Sequence, residues 1–98
     1  MKYLITESQF DKVVFKYLDN HNFVKRKTPN IIYFLKSESD LRVDSLINYY
    51  KDDECWINFE LVDEIAKLFS LDFNDSKYII GRWVANTLDA RVKQVSIR

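Results

Sequence analysis

Residues 55–88 read CWINFELVDEIAKLFSLDFNDSKYIIGRWVANTL, a strand-favouring run followed by two stretches of helical apolar spacing. In the first stretch Leu61, Val62, Ile65, Leu68 and Phe69 share one face of a helix over 59–69. Asn58 is placed to cap it, and Glu60, Asp63 and Glu64 sit where the positive end of the helix dipole favours carboxylates. Leu71-Asp72-Phe73 leads to a second helix, capped by Asn74 or Asp75. Its apolar face holds Ile80, Val84, Thr87 and Leu88, with Ile79 and Trp83 beside them. Gly81 within that helix costs about 1 kcal/mol relative to alanine. Close approach of another element is its expected use.

Working outward, Phe10, Val13, Val14, Tyr17 and Leu18 recur with the spacing of an amphipathic helix over residues 6–19. Thr6 and Gln9 have the spacing of a capping box, and Ile5 can staple onto Phe10. Asp19-Asn20-His21-Asn22 are turn formers and end the pattern. Lys25-Arg26-Lys27 is the densest basic cluster and reads as a loop, with Pro29 marking a boundary. Ile31–Leu35 is a β-favouring apolar run, short enough for a buried strand. Residues 41–50 carry both periods: Val43, Leu46, Ile47 and Tyr50 are helically spaced, whereas Ser45, Ile47 and Tyr49 alternate. The short charged loop Lys51–Glu54 favours a hairpin joining 45–50 to 55–58. For residues 91–98 a closing strand with Val95 and Ile97 inward competes with a helix extension through Leu88, Val92 and Val95. The weak helix propensity of Val, Ser and Ile favours the strand.

The 98 residues therefore predict one α+β domain, in the order α-β-β-β-α-α-β, with a small mainly antiparallel sheet and about three helices on one of its faces. A 47% hydrophobic content supplies a core, and one Gly with one Pro leaves little room for flexible linkers. The single cysteine, Cys55, excludes an intramolecular disulfide and a Cys-rich zinc site and fits a reducing compartment. The N-terminus is too short in apolar residues for a signal peptide, and no run approaches the ~20 apolar residues of a membrane span. Location in the cytosol, or in a particle assembled there, is expected.

Several stretches invite a site. Asp72-Phe73-Asn74-Asp75-Ser76 opens like a calcium loop, but Lys77 stands where the turn needs Gly and Trp83 where a bidentate Glu belongs. A helix cap explains it better. Asp52-Asp53-Glu54 has the right ligands for a hard cation, yet adjacent carboxylates in a hairpin loop diverge. His21 and Cys55 are the sole members of a conceivable base–nucleophile couple, and nothing in the sequence brings them together. With one glycine there is no phosphate-binding loop. No catalytic residue, metal, cofactor or small-molecule substrate is expected.

Contact with another macromolecule is the remaining class. Six Tyr, seven Phe and two Trp exceed what so small a core readily hides, and exposed Tyr and Trp are favoured contact residues. Tyr49 and Trp56 on the hairpin, with Tyr78 and Trp83 on the last helix, are the candidate protein-contact residues. Charge is segregated as well. Residues 1–36 carry net +4, residues 37–76 net −8 and residues 77–98 net +4. Such a surface suits self-association or a protein partner. The alternative is weak nucleic-acid binding by Lys25, Arg26 and Lys27, with Tyr33, Phe34, Tyr49, Tyr50 and Trp56 as stacking neighbours. The acidic centre of the chain opposes it.

The opening Met1-Lys2-Tyr3-Leu4-Ile5-Thr6-Glu7-Ser8-Gln9 resembles the start of many short proteins from bacteriophages and marine bacterial metagenomes. The segment Phe69–Val84 with its basic tail is similar to their C-terminal pattern. The resemblance covers about a quarter of the chain, implies a phage or prophage origin, and implies no activity.

Overall fold

The strands place side chains alternately on two sides, and the two sides differ in what covers them. A computed structural model describes residues 7–41 and 44–97, with side chains from Asp11 onward. The elements run α1 (Glu7–Asp19), β1 (Val24–Lys27), β2 (Ile31–Leu35), β3 (Ile47–Tyr50), β4 (Glu54–Ile57), α2 (Phe59–Phe69), α3 (Phe73–Leu88) and β5 (Gln94–Ile97). The sheet order is β1-β2-β3-β4-β5. The first four strands form an antiparallel meander, and β5 returns parallel to β4 after the two helices.

The fold is thus the expected α+β sheet with three helices, with one strand more than the sequence pattern shows. That strand is β1, the basic cluster read as a loop. An edge strand tolerates charges that a central strand does not, because its outer side meets water. The hairpin over Lys51–Asp53 and the strand at 94–97 resolve the two ambiguous stretches. The capping box at Thr6 and Gln9 and the Ile5–Phe10 staple lie outside the described residues and side chains.

Register fixes which residues share a face. Phe34 pairs with Ile47 and Ile47 with Ile57; Ile32 pairs with Tyr49, Tyr49 with Cys55 and Cys55 with Val95. These residues belong to, or pack on, one core with Val14 and Leu18 of α1, Leu61, Val62 and Ile65 of α2, and Ile79, Ile80, Trp83 and Val84 of α3. All three helices therefore cover this face. Val13 and Leu68, expected in the apolar stripes, are half exposed. Val13 lies about 100° round the helix from Val14 and so misses the sheet.

Local chemistry sets the helix ends. Asn58 caps α2 by accepting the Glu60 backbone N–H at 2.7 Å. The cap of α3 is Asp72 rather than Asn74 or Asp75: its carboxylate accepts the Asp75 N–H at 2.7 Å, and the helix begins at Phe73. The calcium-like run is thereby used up as a helix start. Both helices end on non-glycine residues in the left-handed region, Ser70 (φ 53°) and Asp89 (φ 50°). The only glycine is spent elsewhere. A Cβ on Gly81 would lie 2.6 Å from Val95 Cγ2, so its bare backbone lets α3 settle on β5, as its position in the helix suggested.

Polar links tie α1 to the other helices. Arg82 of α3 grips Asp11 with two charge-assisted bonds, Nε to Oδ2 at 2.8 Å and Nη2 to Oδ1 at 2.9 Å. The Trp83 indole N–H donates to Asp19 Oδ1 at 2.9 Å.

Candidate interaction surface

The sheet face turned away from the helices follows from the same register. Arg26 pairs with Tyr33, Tyr33 with Asn48, Asn48 with Trp56 and Trp56 with Ser96, a row crossing all five strands. Ile31 and Tyr50 pair beside it on one side, Val24 and Leu35 on the other. Successive strand residues point to opposite faces, so this row is the complement of the buried set.

The two ends of this face differ. At the β1 end the Arg26 guanidinium donates to the Glu38 carbonyl at 2.8 Å and the Asp40 carbonyl at 3.2 Å, drawing the β2–β3 loop inward. Leu35 at that end is fully buried yet stands apart from the main core. Asn48 in the middle is also buried and accepts a hydrogen bond from the Ser45 hydroxyl. Towards β4 the face opens. Tyr33, Ile31, Tyr50 and Trp56 are all partly exposed. Two tyrosines, a tryptophan and an isoleucine on one rigid sheet surface combine large apolar area with low side-chain entropy, which suits contact with a partner.

The four expected contact residues do not share a surface. Trp56 lies in the open row. Tyr78 is half exposed on α3, on the helix side. Tyr49 and Trp83 are buried, so neither is available for contact. The Tyr49 hydroxyl sits 3.1 Å from both Asp53 Oδ1 and the Arg91 carbonyl. Burial, then the Asp53 hydrogen bond, raises its pKa. Trp83 packs against Phe23 and Phe34, with ring centroids 5.6 and 5.4 Å away. Aromatic count signals surplus but not side. Tyr33 and Tyr50, absent from the expected protein-contact set, appeared as contacts only among the stacking neighbours of the basic cluster.

The basic cluster is also divided. Lys25 and Lys27 pair with Phe34 and Ile32 and so project on the helix side, whereas Arg26 projects on the other and already donates to two carbonyls. Three consecutive cations on a strand do not make one cationic face.

His21 and Cys55 are not a couple. Cys55 is inaccessible in the core, and burial pushes its thiol up to about 12, far from a reactive thiolate. His21 Nε2 lies 3.1 Å from Glu64 Oε2, the same oxygen that accepts the Tyr17 hydroxyl. Burial first, and the Glu64 hydrogen bond next, raise the Tyr17 phenol to about 12. The imidazole stacks on Phe23 at 5.1 Å and meets the Tyr17 ring edge-on at 4.8 Å. This cluster pins the end of α1 to α2.

The Asp52 and Asp53 carboxylates serve the turn. Asp52 Oδ1 accepts the Glu54 N–H at 3.3 Å, and Asp53 faces Tyr49 and, at 3.9 Å, Lys93. Among the described residues no group of three or more His, Cys, Asp and Glu side chains is arranged to hold a metal ion. No described helix is long and apolar enough to cross a membrane. No protein-family model, curated protein or solved structure matches this chain.

Proposed function

We propose that this protein is a non-enzymatic interaction module that binds a partner protein through the open face of its sheet, centred on Trp56. One observation carries the reading: Tyr33, Tyr50 and Trp56 share a face that none of the described helices covers, and the strand register sets their positions. A protein is favoured over nucleic acid because the described residues of this face include one cation, Arg26, already engaged by loop carbonyls, and one anion, Glu54. The resemblance of residues 1–9 and 69–84 to phage proteins extends the proposal to an accessory or virion-associated role, in the host cytoplasm or the particle.

The test compares the wild type with Trp56→Ser for sedimentation behaviour and for capture of partners from cells of the natural source. A contact hot spot of this kind is worth about 2 kcal/mol or more, so Trp56→Ser should weaken association roughly 30-fold. Its thermal unfolding midpoint should stay close to that of the wild type. Equal retention of partner by the two proteins overturns the proposal, as does a monomer that captures nothing.

A further inference from the structure

The two edges of the sheet are built differently. Edge β1 carries Lys25, Arg26 and Lys27 in succession, the device by which natural sheets repel an incoming strand. Edge β5 reads Gln94-Val95-Ser96-Ile97, without a charge or a proline. Its outward N–H and C=O groups are a ready template for pairing.

A cleft of about 300 Å³ runs between this strand and α3, lined by Tyr78, Gly81, Arg82, Ala85, Val92 and Lys93 together with β5 itself. Tyr78, Arg82 and Ala85 recur at i, i+4 and i+7, so they form one flank of α3. That flank faces away from the core residues Ile80, Trp83 and Val84. Gly81 brings the helix down onto Val95 and sets the depth of the groove. An edge strand for a floor and a helix for a wall form the geometry in which extended peptides add to sheets.

Charge identifies the occupant. The described residues 77–97, which include both walls, carry four Lys/Arg against one Asp, a net +3. Asp11 takes up Arg82, and Asp53 faces Lys93 at 3.9 Å. Beyond these two pairs, Lys77 stands 4.7 Å over the ring of the lining residue Tyr78, and the exposed Arg91 directly precedes the lining residue Val92. We propose that the α3–β5 cleft takes an extended acidic segment of a partner protein. The segment adds to β5 as a sixth strand and lays alternate apolar side chains against Tyr78, Gly81 and Ala85. This seat is separate from the Trp56 face and does not depend on it.

The test uses random short peptides displayed on phage, selected against the whole folded protein. Enriched sequences should alternate apolar residues and be rich in Asp and Glu. Synthetic copies should protect the outward-facing amides within Gln94–Ile97 from hydrogen exchange, with binding that weakens as salt rises. Ala85→Trp, which fills the cleft, and Lys93→Glu should each weaken binding by about tenfold or more. Trp56→Ser should bind the same peptides unchanged, which separates failure here from failure of the open-face reading. Should Ala85→Trp not fold, Lys93→Glu and Tyr78→Ala carry the comparison. The proposal is overturned if no peptide is enriched, if enriched peptides lack acidic residues, or if their binding survives these substitutions. It is equally overturned if the β5 amides gain protection from concentration-dependent self-association in place of peptide.

Discussion

Cys55 and Trp56 are neighbours in the chain and belong to different environments. Cys55 points into a core shared with α2 and α3, where its thiol is out of reach. Trp56 points the other way, into a row completed by Tyr33, Asn48 and Ser96. The helix-covered face is filled with aliphatic residues together with the buried rings of Phe34, Tyr49 and Trp83, and is closed by hydrogen bonds between distant elements. The open face spends its area on aromatic rings left partly in water. One face is sealed beneath the helices, and the other, towards β4, lies partly in water.

That division can be broken most strongly at the core. Ile57→Ala, on the helix side, should cost about 2–5 kcal/mol in denaturant unfolding. Trp56→Ser, one residue away, should cost about 1 kcal/mol or less. Comparable losses at the two positions would mean that both faces are structural. Next comes the seam between helix and strand. Gly81→Ala pushes a methyl into Val95 and should cost about 1–3 kcal/mol, offset by up to about 1 kcal/mol of helix propensity. Adding Val95→Ala should recover most of that loss, and a double-mutant cycle measures the coupling.

A smaller effect tests how α1 is held. The Tyr17 phenol is raised to about 12 in the folded state, above its ordinary value near 10. The neutral phenol is therefore favoured by folding. Its stabilisation is fully present below about pH 10 and is lost as pH rises towards about 12. Unfolding midpoints should fall over that window, and less so in Tyr17→Phe. The smallest effect lies at a helix end. Ser70→Gly relieves a left-handed backbone and should stabilise by about 0.5–1 kcal/mol without touching either sheet face.

Much of the architecture was legible because it rests on local signals. Strand Ile31–Leu35, helix Phe59–Phe69, the Asn58 cap and the purpose of Gly81 all follow from spacing within a few residues. Strand β1 was hidden because VKRK has the composition of a loop, and only its place at the sheet edge makes it a strand. The candidate contact residues were partly legible for a different reason. Trp83 is core because its N–H finds Asp19 and its ring finds Phe34, partners far away in the chain. Helical spacing sets Trp83 only beside the apolar face, and those distant partners decide that it is core. His21 likewise reads as a turn residue until α2 brings Glu64 beside it.

The parallel pairing of β4 with β5 also differs in chain closure. Strand β4 follows β3 through a tight hairpin, whereas β5 reaches β4 only with the whole of α2 and α3 laid between, a far longer loop to close. The groove beside β5 is made by α3 and β5 together, so it exists only with both in place. A segment pairing with β5 would therefore recognise only the fully folded chain.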